Sequence, residues 1–261
     1  MIYPLIKYFG GKFYLAGDLI ANFPAKYYFK DYHQPCVGGG SPFLQIPSNE
    51  AEYISDLNPE VINLWKIVKE RNEEFVESLR AIEYTEKNFM HYKDMICITR
   101  MEHAISTFVK HRMSRSGRGT NFSWSTRIRR GELESISAWN SAVDHLKWIG
   151  ERIKDTTINV MDCADHTALA QKGSFVYLDP PYMKETRVSK SVYSLEMNEE
   201  GHKRLLNVCL NSPAEIMISN YNNDLYNQML RGWRKVIFNI ANHSSEQKEK
   251  QVKQEVIWMN Y

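Results

Sequence analysis

Short apolar runs alternate with longer amphipathic stretches at both ends of the chain, and this rhythm predicts strands and helices in succession. The runs are bounded by polar or glycine-rich turns, as strands are. Strands are predicted at residues 28–33, 53–55, 157–160, 175–178, 215–218, 236–240 and 255–259. Helices are predicted at residues 59–68, with Pro59 in the first turn, and at residues 198–210. The alternation is typical of an α/β fold.

The middle of the chain, about residues 67–154, breaks this rhythm. Its clearest pattern is an apolar residue at every third or fourth position, which predicts a helix over residues 132–153 with one face in the core. The residues of this face are Leu133, Ile136, Trp139, Val143, Leu146, Ile149 and Ile153. We therefore predict three parts: residues 1–66 and 155–261 form one α/β domain, and residues 67–154 form a helix-rich insertion.

The turn Asp179-Pro180-Pro181-Tyr182 directly follows the predicted strand at residues 175–178. Two consecutive prolines remove two backbone N–H donors, so the turn offers only acceptors beside one aromatic ring, which we expect to be exposed. Carboxylate and carbonyl acceptors suit the exocyclic amino group of a planar base, on which Tyr182 could stack. A strand-ending turn without function would also tolerate Asp-Pro, but four specified residues at a strand end favour a functional site.

A glycine-rich loop and an acidic strand end indicate a second site. Gly38-Gly39-Gly40-Ser41 follows the first predicted strand, and glycines let a backbone approach a ligand closely. Asp56 ends the next strand, where nucleotide-binding sheets place a carboxylate that accepts hydrogen bonds from ribose hydroxyls. Capping of the following helix is the alternative role. The pair favours a nucleoside-containing cofactor, and the absence of Gly-x-Gly-x-x-Gly and Walker sequences disfavours NAD and ATP.

The distribution of charge is more informative than its sum. A net charge of +2 does not imply a polyanionic partner, but seven of the 33 basic residues lie within residues 110–130, which contain no Asp or Glu. We predict a β-hairpin or loop that binds nucleic acid phosphates and some base edges; a solvated charged face is the alternative. Phe122 and Trp124 interleave the charges, and packing onto helices is favoured for them over wedging between bases. The candidate DNA contacts are Arg112, Arg115, Arg118, Arg127, Arg129 and Arg130.

Composition excludes several other classes. Hydrophobic residues at 43% and charged residues at 25% describe an ordinary globular protein. Four scattered cysteines without a Cys-x-x-Cys pair predict neither a disulfide framework nor a metal site. No apolar run approaches the roughly 20 residues of a membrane span, and the N-terminus lacks the pattern of a signal peptide. We expect a cytoplasmic setting.

Taken in order, these motifs resemble the Dam-like D12 class of DNA adenine-N6 methyltransferases. Residues 8–12, Tyr-Phe-Gly-Gly-Lys, are similar to the family's aromatic-x-Gly-Gly-Lys element, and residues 35–41 to its cofactor loop. Residues 55–58 match its acidic strand end, and residues 179–182 its catalytic motif. The resemblance implies a Rossmann-like, S-adenosylmethionine-dependent methyltransferase sheet with an inserted helical target-recognition domain that carries a basic hairpin.

The resemblance also implies roles for single residues. The catalytic residues would be Asp179, Pro180 and Tyr182. The contacts of S-adenosylmethionine would be Tyr8, Lys12, Gly38, Gly40, Asp56, Asp162, Cys163 and Asp179, and residues 219–221 would line the same pocket. The chain departs from the family at Gln34 and Cys36, where a carboxylate and an aromatic ring are common. Loss of both is expected to weaken cofactor binding without abolishing it.

The expected activity is site-specific methyl transfer to N6 of an adenine flipped out of duplex DNA. The alternatives are an enzyme that methylates RNA adenine, cytosine N4 or a protein glutamine, and an inactive DNA-binding protein on the same scaffold. Asp179 favours adenine, and the basic insertion disfavours a protein substrate. We expect a monomer in solution, with a dimer on DNA as an alternative, a bacterial or virus-infected bacterial cell as host, and a role in restriction-modification.

Overall fold

The computed structural model describes residues 2–24, 29–129, 131–186, 196–241 and 252–261. The predicted strand at residues 28–33 and the predicted loop at residues 241–254 lie partly outside these ranges, and Arg130 lies outside them. The side chain of Arg129 is likewise outside the description.

The strands confirm the predicted α/β class. They are β1 (Asp31–Gln34), β2 (Ala51–Asp56), β3 (Ile128–Arg129), β4 (Glu132–Leu133), β5 (Thr157–Val160), β6 (Ser174–Leu178), β7 (Glu215–Tyr221), β8 (Arg234–Ala241) and β9 (Val252–Met259). Within the described residues, seven of them form one mixed sheet in the order β5-β2-β1-β6-β7-β9-β8, and β3 pairs with β4 as a hairpin. β1 is parallel to β2 and β6, β6 is parallel to β7, and β9 is antiparallel to β7 and β8.

Side chains cap the starts of several helices. They are α1 (Ala16–Ile20), α2 (Pro59–Glu70), α3 (Asn72–Arg80), α4 (Glu86–Asp94), α5 (Arg100–Met113), α6 (Glu134–Arg152), α7 (Cys163–Ala168), α8 (Glu199–Asn211) and α9 (Asp224–Met229). The Asn58 side chain accepts from the second residue of α2, and Pro59 occupies the first helical position. Asn198 caps α8 in the same way. Both predicted helices are confirmed.

The chain divides into two compact units. The first contains Met1–Asn22, Val37–Ser48 and Asn58–Val160, and the second contains Phe23–Cys36, Asn49–Leu57 and Met161–Tyr261. The glycine loop thus belongs to the first unit, and the acidic strand ends at Asp56 and Asp179 belong to the second. The three-part division at residues 66 and 154 stays a prediction.

Helices build the core of the first unit. α2 packs against α5 and α6, and the apolar face predicted for α6 is confirmed because Trp139, Val143, Leu146 and Ile149 are buried. The helix begins at Glu134 and not at residue 132, since the two preceding residues pair with β3. The first unit therefore carries a short hairpin directly before α6.

The residues at 110–130, called the basic segment below, form the predicted hairpin or loop only in part. Residues 110–113 form the last turn of α5, so the prediction was wrong for them. The helix starts at a Thr99–Glu102 capping box and continues to Met113 because Phe108, Val109 and Met113 are buried along it. A single 3₁₀ turn follows at Arg115–Gly117. The hairpin begins only at β3.

The core of the second unit lies around β6 and β7. Every residue of β6 is buried, as expected for a strand with neighbours on both sides. Leu205 and Leu206 of α8 and Trp258 of β9 pack into the same cluster. In the described part of the chain, no helix is long and apolar enough to cross a membrane.

Candidate active site

The end of β6 presents the carboxylate of Asp179. This side chain is half-buried, and the Ser219 hydroxyl of β7 donates to its Oδ1 at 2.9 Å. The Tyr177 hydroxyl lies 3.3 Å from the same Ser219 oxygen. Burial raises the pKa of Tyr177, and the negative charge of Asp179 raises it further. The fully buried Ser219 thus orients the carboxylate, and Tyr177 in turn can donate to Ser219.

Tyr182 is buried, which contradicts the expected exposed ring. It is 3% exposed, its hydroxyl donates to the buried carboxylate of Glu255 on β9, and its ring meets that of Tyr221 edge-on with centroids 4.7 Å apart. Burial raises the pKa of Tyr182, and the charges of Asp179 and Glu255 add to the rise. The expectation failed because the partner of the hydroxyl comes from a strand 73 residues away. Its catalytic role stays a prediction.

Asp56 and Asp162 lie at two further chain reversals of the second unit. Asp56 is the last residue of β2, and its carbonyl accepts from the Met161 amide at 3.2 Å. Asp162 is the N-cap of α7: its Oδ1 accepts from the Ala164 amide at 2.9 Å and from an Arg204 guanidinium nitrogen at 2.8 Å. The structure therefore gives Asp162 a capping role, and its cofactor contact stays a prediction.

Cys36, which follows β1, interacts with Cys163 and with the carboxylates of Asp56 and Asp179. It follows β1 with a left-handed backbone, φ 59°, and it packs against the core cluster that contains Cys163. A hydrogen bond with Cys163 raises the pKa of the Cys36 thiol most, followed by burial and the negative charges of Asp56 and Asp179. The thiol is therefore neutral at pH 7, and carboxylates at the ends of β2 and β6, the strands on either side of β1, both raise its pKa.

Gln34, one of the two departures from the family pattern, is fully buried. Its Oε1 accepts from the Tyr32 hydroxyl at 2.7 Å, so the amide is built into β1. The carboxylate that the family commonly has there would also accept this bond.

In the first unit, protein packing accounts for the glycines of the loop. A Cβ on Gly38 would lie 2.8 Å from the Tyr8 ring, and a Cβ on Gly40, where φ is +90°, would lie 2.6 Å from the Trp65 ring. The Trp65 indole donates to the Gly38 carbonyl at 3.0 Å. The structure therefore places the Tyr8 ring against Gly38 and the Trp65 ring against Gly40, and the cofactor contacts of Tyr8, Gly38 and Gly40 stay predictions.

The N-terminal aromatic-Gly-Gly-Lys element folds into a turn of the first unit. Lys12 is almost fully buried, and its ammonium donates to the Gly10 carbonyl at 2.8 Å. The Tyr8 ring lies 5.4 Å from that of His111 on α5. The Arg118 guanidinium lies 4.8 Å above the Phe9 ring, a cation–π contact. This element and the basic segment therefore lie side by side.

Arg112 differs from the other candidate DNA contacts. Its guanidinium donates to the carbonyls of Pro4 and Leu5, the latter at 2.9 Å, and burial lowers its pKa to about 10. The structure thus gives Arg112 an internal role. Arg115, Arg118 and Arg127 are exposed.

Packing is confirmed for Phe122, whose ring lies 5.4 Å from Tyr84 and 5.8 Å from Phe89. Trp124 lies 6.2 Å from Tyr84 and keeps 48% exposure. The aromatic residues of the basic segment thus anchor it to the helices of the first unit.

Two site features were missed from the sequence. Glu255 is the last of three polar residues in β9, and its position directly before the apolar run at residues 256–259 is a signal that could have been used. No local pattern indicates that Tyr177 would meet Ser219. Among the described residues, no group of three His, Cys, Asp or Glu is placed to hold a metal ion.

The seven-stranded mixed sheet, with carboxylates at the ends of β2 and β6, is consistent with a Rossmann-like methyltransferase fold. The model of the D12 class N6 adenine-specific DNA methyltransferases matches residues 8–248, and the chain belongs to this family.

Individual relatives agree with the family. A DNA adenine methylase of Serratia marcescens is 29% identical over 184 residues, which cover 68% of this chain and 66% of that protein. A DNA adenine methylase of Haemophilus influenzae is 24% identical over 264 residues, which cover 96% and 90%. The chain thus spans slightly less than two thirds of the first relative. Among solved structures, the rRNA methyltransferase aviRa of Streptomyces viridochromogenes is 13% identical, with a TM-score of 0.42 and coverage of 100% and 86%.

Proposed function

We propose that the chain transfers a methyl group from S-adenosylmethionine to N6 of an adenine in duplex DNA. The observation that carries this proposal is the Asp179 carboxylate, held by Ser219 at the start of a turn in which two prolines remove two N–H donors. Membership of the adenine-specific DNA family supports the substrate. We further propose that the protein acts as a monomer on a specific sequence, in the cytoplasm of a bacterial or virus-infected bacterial cell.

The residues present suit the cofactor. Its bound form would supply an electrophilic methyl group on a sulfonium. Asp56 ends β2, Asp179 directly follows β6, and both strands run parallel to β1, so the two carboxylates lie at the same edge of the sheet, which favours a cationic nucleoside. Asp56 would accept from the ribose hydroxyls, and Asp162 and Cys163 would line the adenosine end. Tyr8, Lys12, Gly38 and Gly40 are proposed for the remainder of the cofactor.

The chemistry requires orientation of a poor nucleophile. The lone pair of the adenine amine is delocalised into the ring, so the amine attacks only when its N–H bonds turn out of the ring plane. Asp179 and the Pro180 carbonyl would accept the two N–H protons and direct the lone pair at the methyl group. Direct displacement would then form the N–C bond as the C–S bond breaks, with a neutral sulfide leaving and one proton passing from the nitrogen to solvent, and positioning and electrostatics would accelerate it.

The target base must leave the duplex to reach Asp179. Tyr182, which now donates to Glu255, would have to expose its ring face to stack on that base. Arg115, Arg118 and Arg127 are exposed and would contact phosphates, together with Arg129 and Arg130, whose role rests on the sequence.

Methyl-labelled S-adenosylmethionine tests the proposal. Wild-type protein is incubated in parallel with duplex DNA, RNA and a protein mixture, and the labelled product is digested and identified. We expect N6-methyladenine in DNA, no transfer by Asp179→Ala, and wild-type transfer by the control Asp155→Ala, which removes an exposed carboxylate elsewhere. Label in cytosine, RNA or protein, or undiminished transfer by folded Asp179→Ala, would contradict the proposal.

A further inference from the structure

A chain of four polar side chains runs through the second unit without touching Asp179. Asp31 Oδ1 lies 3.0 Å from His33 Nε2, His33 Nδ1 lies 3.0 Å from His166 Nε2, and His166 Nδ1 lies 2.5 Å from the Ser55 hydroxyl. His33, His166 and Ser55 are at most 5% exposed. The Tyr53 ring stacks on His33 with centroids 4.7 Å apart. The hydrogen-bonded residues Asp31, His33, His166 and Ser55 are called the relay below.

The hydrogen bonds of the relay all point in one direction. A carboxylate only accepts, so His33 Nε2 donates to Asp31 and His33 Nδ1 accepts from His166 Nε2. His166 Nδ1 then accepts from the Ser55 hydroxyl. Burial lowers the pKa of both imidazole rings, that of His166 to about 3, so both rings are neutral at pH 7. The hydrogen bonds then place the single proton of each ring on Nε2. Every member is satisfied in this arrangement, which makes a buried network rigid.

The relay joins the chain reversals at Asp56 and Asp162, which carry proposed cofactor contacts, to strand β1. Ser55 directly precedes Asp56 at the end of β2. His166 belongs to the first turn that Asp162 caps, and its amide donates to the Asp162 carbonyl at 2.9 Å. His33 on β1 lies three residues before Cys36, which contacts Cys163. A shift of any member therefore moves a strand end or a helix start at the nucleoside end of the site.

We propose that Asp31, His33, His166 and Ser55 are positioning residues that hold Asp56 and Asp162 in the geometry for binding the nucleoside end of S-adenosylmethionine. The inference rests on the proposed function. The relay sets the affinity for the cofactor without contacting the cofactor or the target base. Its loss should raise the KM for the cofactor while the KM for DNA and the kcat at saturating cofactor stay near wild type.

Cofactor affinity is measured by titration calorimetry with S-adenosylmethionine alone, so that DNA and turnover do not enter. Ser55→Ala removes one hydroxyl and should weaken binding by about tenfold, the value of one good hydrogen bond. His166→Phe breaks the relay in its middle and should weaken binding at least as much. His166→Gln, whose amide can both donate and accept, should recover part of the loss.

Ser106→Ala is the matched control. It removes a buried serine hydroxyl that donates to the Tyr92 carbonyl at 2.8 Å in the first unit, so its stability loss should be similar to that of Ser55→Ala while its cofactor affinity stays unchanged. Nitrogen NMR of the imidazole rings in the free protein gives a readout independent of the cofactor. Both rings should carry the proton on Nε2, and Ser55→Ala should shift the Nδ1 resonance of His166.

The results of these binding experiments test the positioning role of the relay separately from the proposed function. A wild-type protein that does not bind S-adenosylmethionine would overturn both. Wild-type binding with unchanged affinity in Ser55→Ala and His166→Gln would overturn the positioning role alone. Equal losses of affinity in Ser55→Ala and Ser106→Ala would also overturn it, because they would reflect stability only. If His166→Phe does not fold, the cofactor affinity of Ser55→Ala decides whether the relay has the positioning role.

Discussion

At the scale of single residues, Tyr182 shows how a motif residue acquires a second partner. Its ring belongs to the Asp-Pro-Pro-Tyr turn, but its hydroxyl is held by Glu255 of β9 in the described structure. A base that stacks on the ring must compete with this arrangement, because the side chain is 3% exposed. The hydroxyl therefore contributes to the free energy of unfolding, whereas the ring face is the part of the side chain proposed to bind the base.

Substitutions at Tyr182 should separate these two contributions. Tyr182→Phe removes the donor to a buried carboxylate and should cost about 1–3 kcal/mol of stability, while keeping substantial methyl transfer. Tyr182→Ala should lose more transfer, because base stacking contributes about 1–3 kcal/mol. Urea denaturation measures the first effect. Single-turnover methylation of a duplex with 2-aminopurine beside the target measures the second. Equal loss of transfer in both variants would assign the catalytic contribution to the hydroxyl.

Arg112 and Arg115 should respond oppositely to the same change, although both were predicted from the sequence to contact DNA. Arg112 donates to two backbone carbonyls, whereas Arg115 is exposed. Arg112→Met keeps the aliphatic stem but leaves those carbonyls without their charged donor, and should cost about 1.5–3 kcal/mol of stability. Arg115→Met should change stability by less than about 0.5 kcal/mol. Urea denaturation of both variants checks this, and equal losses would contradict the internal role.

At the scale of elements, the basic segment combines three kinds of local structure. Its first residues end α5, a 3₁₀ turn follows, and β3 and β4 form the hairpin. Local pattern alone could not separate these pieces, because charge and glycine content favour a loop throughout. The burial of Val109 and Met113 against the first unit decides that the helix continues.

The hairpin should supply most of the salt-dependent affinity for DNA. Replacing Arg127, Arg129 and Arg130 together by Ala should reduce the slope of log K against log salt by up to about 2.7, since each phosphate contact contributes about 0.9. Fluorescence anisotropy with a labelled duplex at several salt concentrations measures the slope. The control is cofactor binding by calorimetry, which should not change. A slope equal to that of the wild type would move the DNA surface away from the hairpin.

At the scale of the whole molecule, stability should depend on pH through the relay. The pKa of His166 is lowered to about 3 by burial first and by His33 second, and burial also lowers the pKa of His33. An unfolded histidine titrates near 6.5, so below that pH the unfolded state binds more protons than the folded state. The stabilisation is thus present above pH 6.5 and is lost as the pH falls towards the folded pKa.

Between pH 6.5 and pH 5, His166 should account for a loss of about 1.6 kcal/mol in the free energy of unfolding. Urea denaturation across this interval measures the total loss, to which His33 and other groups contribute. His166→Gln cannot titrate and should have a flatter dependence, which isolates the contribution of this ring. The same slope in wild type and variant would show that His166 is accessible to protons in the folded protein.

Much of the architecture follows from local pattern. The strand at residues 157–160 was predicted with its observed bounds, and the strand ends that carry Asp56 and Asp179 were predicted because apolar runs stop at a polar residue or a proline. Asn58 and Asn198 predict the starts of α2 and α8, since an N-cap is a local interaction. Where the chain turns and which side chains end each strand are therefore determined by the sequence itself.

Only the tertiary structure decides which of these ends meet and which polar groups become buried. His33 and His166 are 133 residues apart, and Tyr182 and Glu255 are 73 apart, so no periodicity relates them. The packing of strands and helices brings each pair together, and burial then requires their hydrogen bonds, because a buried polar group without a partner is costly. Local sequence thus determines the elements and the Asp-Pro-Pro-Tyr turn, and tertiary packing determines the partners that hold the turn in place.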